Sequence, residues 1–502
     1  MQKLKWYDHL SINLFWLGLN IRNQSVSSIL MPYMVALLAA PDVRNSALGF
    51  MRTAGLLIAM LVQPAMGILS DRSTSRFGRR RPFIFAGVLL DLVCLALIAV
   101  ASDYWFLLVA ILLFQFTSNI SHGALQGLIP DLVPEEQRGL SSGIKSLMEL
   151  APLILVALVI ARLVADGQFV AAVVATGAGL LVIMLLTMVL VKEKPLAEKP
   201  DIPLGPAMLR VLGMLAGIGV GAAAGLLGGG IVGGLCGLVA WPFAGQATAL
   251  AIGVAVGGTV AMIVAVVVGV WAGAYASIGR SVRQHQSFTW WVVNRLLFLT
   301  AVTSLQGFAP FFLMGAFKID AAASAGMTGN LLAVVGLCTL ISAVPSGWLA
   351  DRFGYRGLLQ ASGIIAGAGA TLLLGAIWLP NLVLIYIAGC ILGVGTGLFV
   401  STNWALGTRL APPAEAGRFL GISNLAGAGA GMIGTGIGGP VADYLEKVLP
   451  GLGYFVLFAG YAVLFVLSTV SILGIQKVLP VFTGSAETAE PPGSGGSVLT
   501  TD

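Results

Sequence analysis

The sequence predicts an all-α polytopic membrane protein of about 14 spans, made of two six-helix halves plus two inserted helices. Three observations predict it. Of 502 residues, 58% are hydrophobic and only 10% charged, whereas about a quarter of an ordinary soluble chain is charged. The apolar residues come in runs of about 20 or more, the length that crosses a hydrocarbon core. One polar pattern occurs twice at a constant offset. No soluble stretch is long enough to house a separate catalytic, nucleotide-binding or DNA-binding domain, and those classes are excluded. The net charge of +6 is no nucleic-acid footprint, because in a membrane chain the placement of positive charge matters more than its sum.

Apolar runs near 10–39, 47–69, 83–102, 104–128, 144–165 and 169–191 give spans 1–6. The N-terminus enters the first run without a small-residue cleavage site, so span 1 is expected to be retained. A second series near 289–313, 327–349, 357–379, 381–406, 419–441 and 453–476 gives spans 7–12. Between them, Gly213, Gly217, Gly221, Gly225, Gly229, Gly233 and Gly237 recur at every fourth position, a bare stripe along one helix face. Trp241-Pro242-Phe243 interrupts that run, and Ala247 to Ile278 forms a second one. Two inserted spans are expected, since an odd number would place the following arginines on the wrong side. Such a stripe allows close helix packing, either docking the inserted pair on the core or making a homodimer contact through Gly213–Gly237. The division is therefore 1–191 (first half), 192–288 (linkers and insert), 289–477 (second half) and 478–502. The tail is rich in Gly, Ser, Glu and Pro from Thr483 onward, as disordered cytoplasmic segments are.

Charge placement sets the orientation. With both termini cytoplasmic, twenty of the 27 lysines and arginines fall on the cytoplasmic side, the bias expected of a plasma-membrane protein. Among them are Lys194, Lys199, Arg210, Arg280, Arg283 and Lys477. Only Arg44, Lys318 and Lys447 fall outside, while Arg22, Arg52, Arg162 and Arg295 lie within spans. Cys94, Cys236, Cys338 and Cys390 all sit in apolar runs and read as small core residues, and no cofactor or metal cage is expected.

The halves also match in sequence. Gly67-x-x-x-Asp71-Arg72 after span 2 recurs as Gly347-x-x-x-Asp351-Arg352, and Arg138 after span 4 recurs as Arg418, all 280 residues on. One spacing in two independent loops indicates duplication. Repeated six-helix halves are a transporter architecture, with the substrate site near the midplane between them.

The run from Gly67 through Asp71, Arg72, Arg76, Gly78, Arg79, Arg80 and Arg81-Pro82 resembles the loop 2–3 signature of the major facilitator superfamily. Ser70 to Ile84 is similar in particular to the sucrose and glycoside-pentoside-hexuronide:cation symporters. The resemblance implies the major facilitator fold and a gate. Its glycine would let two helices approach, its aspartate would cap or pair across the halves, and its arginines would tie the cytoplasmic side in the outward-facing state. From Asn119 to Asp131-Leu132, span 4 also resembles the sucrose-transporter pattern. That pattern implies an aspartate where Gln115 stands and an arginine where Gln126 stands, so substrate and coupling are expected to depart from it.

Polar groups inside spans are costly, and each is a functional candidate. Gln115, Asn119, His122 and Gln126 share one face of span 4, and Asn20, Asn23, Gln24 and Ser27 share one of span 1. Both faces suit sugar hydroxyls. Arg22 points elsewhere and needs a carboxylate, either Asp91 or Glu149, as a structural pair or as the coupling site. Glu149 is the preferred proton carrier, because a desolvated glutamate can hold a proton near neutral pH. The second half offers Asn294, Arg295, Gln306, Ser401 and Asn403. Trp16, Trp290, Trp291 and Trp404 are either sugar-stacking rings or interface anchors.

These residues point to a secondary active transporter of a small polar solute, a sugar or glycoside, coupled to a proton or sodium ion. The alternatives are an exporter of amphipathic compounds and a non-transporting factor that assembles a pigment or membrane protein. No enzyme is expected: His9, His122 and His285 are far apart, and no nucleophile and base or phosphate loop stands out.

Overall fold

The computed structural model describes residues 3–193, 195–196, 204–279, 282, 285–410 and 416–475, and among these every regular element is helical. Lys194, Lys199, Arg280, Arg283, Lys477 and the expected tail lie outside the described residues, as do the side chains of Arg210 and Arg418. Span 1 is one rod in three pieces: α-helix Trp6–Gln24, π-helix Ser25–Leu30 and α-helix Met31–Leu38. Spans 2–6 are Arg44–Asp71, Arg81–Ala99, Tyr104–Leu125, Arg138–Ala165 and Phe169–Leu190. Spans 7–12 are Gln286–Phe317, Ala321–Ala343, Tyr355–Leu374, Leu382–Leu410, Ala416–Val448 and Leu452–Ser471. Leu204–Ile278, between the two sets, folds back at Gly245.

Among the described residues eleven helices are long and apolar enough to cross a membrane by length and composition, the hairpin counting as one. With span 1 and span 11 added, the architecture is that of two six-helix halves and an inserted pair. Leucines such as Leu57, Leu158 and Leu186 are exposed on the outside, the surface a bilayer covers.

Helix ends follow local chemistry. Asp103 caps span 4 by accepting the N–H groups of Trp105 and Phe106 at 3.0 Å, and Asp320 caps span 8 through Ala323 N–H at 2.7 Å. Span 8 stops at Ala343, short of the expected 349. Pro345 cannot donate to the helix ladder, so the second copy of the repeated motif sits on its own short helix, Ser346–Phe353.

The inserted helices pack on each other. Gly217 faces Gly273, Gly221 faces Gly269, Gly229 faces Gly257 and Gly233 faces Gly253, so that backbones touch where any Cβ would clash. The chain turns at Gly245, whose φ of 75° favours glycine, four residues past Trp241. The stripe is therefore consumed inside the hairpin. The stripe is thus not the face by which the inserted pair meets the core. The pair docks instead through other residues: Gly258 on Val441 of span 11, and Thr259 and Met262 against Gly460 of span 12.

The halves meet along two seams. In one, span 2 lies on span 11, with close contacts from Gly439 beside Asn45 to Gly431 beside Leu56. In the other, span 5 lies on span 8, from Gly326 beside Ala165 to Gly336 beside Leu153. Both series run from the end that carries Arg44 and Lys318 toward the middle of the molecule. That end is called the sealed end here, and the end carrying Arg72–Arg81 the basic end.

Candidate functional site

Arg22 and Asp91 form an ion pair in which both side chains are completely buried. Thr117 of span 4 donates to the other Asp91 oxygen at 2.5 Å, Asn23 accepts from Arg22 at 3.1 Å, and the Phe114 ring lies 5.4 Å from the guanidinium. Of the two carboxylates available to Arg22, span 3 supplies the partner. A pair with this many satisfied bonds ties spans 1, 3 and 4 of the first half together.

Glu149 takes Lys145, one turn earlier on span 5, at 3.2 Å. Lys145 lies 4.2 Å from the Trp16 ring, and Trp16 meets His122 edge-on at 5.6 Å. Arg295 of span 7, in the other half, is within electrostatic reach of Glu149. Arg295 donates to Asn403 Oδ1 at 3.0 Å and lies 5.5 Å from the Trp404 ring. Spans 1, 4, 5, 7 and 10 thus converge on one polar zone on the basic side of the two seams.

The amides divide into two groups. Asn20 donates to the Trp16 carbonyl, Asn119 to the Gln115 carbonyl, and Gln24 accepts from Ser28. Gln115 packs on Gly55 of span 2, and Gln306 is half-buried on span 7. Gln126 is exposed just beyond span 4. Asn294 and Asn403, expected to bind substrate, are fully buried instead. Asn294 donates to the Ser468 carbonyl at 2.8 Å, Asn403 donates to Asn294 Oδ1 at 3.0 Å, and Trp291 donates to the Asn403 carbonyl at 2.9 Å. Buried amides are held where their bonds are satisfied, and here that place is the contact of spans 7, 10 and 12.

In this structure the loop after span 2 makes its ion pairs within its own half. Asp71 pairs with Arg80, and Asp131 takes both Arg79 and Arg80. Arg80 also donates to Ser70 Oγ, and Gly67 faces Gly123 of span 4. Gly78 has φ 99° and lies against Glu193, so a side chain there would meet strain and a carboxylate together. Glu193 in turn accepts the Arg80 and Arg81 backbone N–H groups at 3.0 and 3.1 Å, closing the start of span 3. Burial holds its carboxyl above the ordinary carboxylate range, against the pull of those donors and of Arg80. Arg72 and Arg76 make no ion pair among the described residues, although Arg76 lies over the Phe77 ring. In the second copy, Asp351 accepts from Tyr355 at 3.2 Å, Arg352 lies over Trp348 and Phe353, and Gly347 has open space beside it.

Two participants are not singled out by the sequence. Glu193 and Asp443 act by capping helices that are remote in sequence, which leaves no local pattern. Arg52 was visible as an arginine inside a span, and that signal was sufficient to mark it.

A protein-family model described as Major Facilitator Superfamily matches residues 19–435, with a second match over 293–494. Among curated proteins, sucrose transport protein SUT1 of Oryza sativa subsp. japonica is 40% identical over 73 residues, 14% of this chain and 12% of that protein. Sucrose transport protein SUC3 of Arabidopsis thaliana is 26% identical over 139 residues, 23% of each. The matched segments thus span less than a quarter of these relatives. Among solved structures, nucleoside transporter NupG (D323A mutant) superposes with a TM-score of 0.60 at 14% identity, covering 93% of this chain and 99% of that one. A POT family transporter in complex with a thioalcohol-conjugated peptide gives 0.64 at 14% identity, covering 93% and 95%. At such identities the likeness is one of fold.

Proposed function

Because this chain belongs to the Major Facilitator Superfamily, and is a transporter-type membrane protein rather than an enzyme, we propose that it moves a small polar solute by cation-coupled alternating access. The solute is a sugar or glycoside, the coupling ion a proton or sodium, and the membrane the plasma membrane, with the basic end and both termini in the cytoplasm. The supporting observation is the polar zone where Trp16, His122, Lys145, Glu149 and Arg295 converge between the halves. It lies on the basic side of two seams that close the other end, the arrangement of an inward-facing carrier. The partial likeness to sucrose transport proteins supports the solute class. Rocking the halves would open the seams and close the basic end around the solute.

Glu149 is the coupling residue of this reading. It sits in the zone with a lysine on one side and Arg295 across the gap, so a bound proton or cation would change how the halves attract. The loop of Asp71, Arg79 and Arg80 holds the basic end of the first half rigid during that movement.

The test is uptake of labelled mono- and disaccharides by proteoliposomes, with and without an imposed inward proton or sodium gradient. Accumulation that collapses with the gradient supports the reading. Folded protein that takes up none of them under either condition refutes it. Movement of amphipathic compounds is the second reading, favoured by one observation. A groove of about 1110 Å³ runs between the inserted hairpin and spans 2 and 11, walled by residues such as Leu226, Leu250, Phe50 and Met432.

A further inference from the structure

Arg52 of span 2 is an arginine within a membrane span that pairs with no acid among the described residues. Its Nη2 donates to the Ser27 carbonyl at 2.6 Å, Nη1 lies over bare Gly307 of span 7, and Nε is sealed from solvent without a partner. Tyr461 of span 12 is within its electrostatic reach, but the Tyr461 hydroxyl already donates to the Gly434 carbonyl at 3.2 Å. The site is built by three departures from regular packing. Ser27 lies in the π-helical turn of span 1, where the altered ladder leaves a carbonyl for an outside donor. Gly307 has no side chain, and a Cβ there would run into the guanidinium. Gly55, one turn from Arg52 on the same face, gives its space to Gln115.

The membrane acids are committed elsewhere. Asp91 is held by Arg22 and Thr117, Glu149 by Lys145, Asp443 by Asn45 and Ser46, and Glu446 by the N–H groups of Gly451 and Gly453. Among the described residues, none remains to neutralise Arg52. A buried charge without a counter-charge is strongly unfavourable, and a guanidinium has five donors in a fork matched to a carboxylate. Among the described residues one of those donors has an acceptor, the Ser27 carbonyl. The position lies within the span 2 and span 11 seam, where the neighbouring Thr53 donates to the Met432 carbonyl at 3.4 Å.

We propose that Arg52 is the anion-binding residue of the central site, and that the transported solute is a hydroxyl-rich carboxylate rather than a neutral sugar. This rests on the transporter reading above and narrows its solute class. The carboxylate would take the guanidinium edge between spans 1, 2 and 7, and the amides of Gln24, Gln115 and Gln306 would serve its hydroxyls. Because the guanidinium touches both halves, the anion would bind at their junction.

Thermal stability of the purified full-length protein, titrated with carboxylates and with neutral compounds of the same skeleton at constant ionic strength, tests this without transport. The panel is acetate, lactate and gluconate, against sorbitol and glucose. Gluconate is expected to raise the melting temperature saturably where sorbitol does not, and Arg52→Gln is expected to weaken the effect roughly tenfold or more. Arg52→Lys keeps the charge but loses the fork; it is expected to fall between the two, and it serves if the glutamine variant does not fold. Absence of any carboxylate-specific shift, or a shift that survives in Arg52→Gln, overturns the proposal. Failure of the transport reading is distinguishable: a gluconate shift that needs Arg52, in protein that catalyses no uptake, leaves the anion site standing without a carrier. Gradient-driven uptake of neutral sugars that is untouched by Arg52→Gln leaves the carrier and removes the anion site.

Discussion

Asp443 of span 11 caps the first turn of span 2 from the other half of the molecule. Its Oδ1 accepts the Asn45 backbone N–H at 3.2 Å and the Asn45 side-chain amide at 2.7 Å, and its Oδ2 accepts the Ser46 N–H at 2.7 Å. The first turn of a helix has N–H groups without intrahelical acceptors and carries partial positive charge. A buried carboxylate supplied by span 11 satisfies them only while the two helix ends stay together. Tyr454 adds a bond to Asn45 Oδ1 at 3.3 Å, and Lys447 pairs with Asp42 at the exposed rim at 3.1 Å.

Removing that cap should loosen the sealed end. Asp443→Ala gives up charge-assisted bonds worth about 2 kcal/mol and is expected to shift the conformational balance toward opening there. The readout is labelling of a cysteine placed at Thr53, which should become faster in the variant. Unchanged labelling would mean that the glycine contacts, not Asp443, hold the seam.

The Arg22 and Asp91 pair is expected to behave as structure. Asp91→Asn leaves a buried guanidinium uncompensated and should cost about 3–5 kcal/mol, whereas replacing both partners with apolar residues should recover much of that loss. Thermal unfolding in detergent checks it. A double variant as unstable as the single one would show that the charges do more than neutralise each other.

Glu149→Gln should retain solute exchange between equal pools and lose accumulation against a gradient, because the amide cannot take up a proton or pair with a cation in the same way. Counterflow and gradient-driven uptake, measured in the same vesicles, separate the two. Full gradient dependence in the variant would remove Glu149 from the coupling step.

Glu193 supplies a pH prediction outside the membrane. Its folded carboxyl is raised by burial, so its contribution to stability is fully present below the unfolded carboxylate range and is lost as pH rises through the raised folded value. Glu193→Gln keeps an oxygen for the Arg80 and Arg81 N–H groups and should flatten that part of the melting-temperature profile. Glu193→Ala loses the cap and should cost about 1 kcal/mol. A profile with the same slope in the glutamine variant would assign it to another group.

The sequence alone determined the membrane class, the duplicated halves and the inserted pair, because hydrocarbon thickness fixes span length and a repeat offset is a one-dimensional property. It also marked Arg22, Asp91 and Glu149 as groups that must find partners, since charge inside a bilayer is costly wherever it falls. Which partner each took was a matter of tertiary structure. The choice of Asp91 over Glu149 for Arg22, the turning of Asn294 and Asn403 into the packing of the second half, and the use of the glycine stripe inside its own hairpin each depend on which helices stand side by side. Helical periodicity gives the face a residue occupies but not the helix that face meets. The same reason hid the caps made by Asp443 and Glu193, whose donors lie hundreds of residues away in the first case and over a hundred in the second.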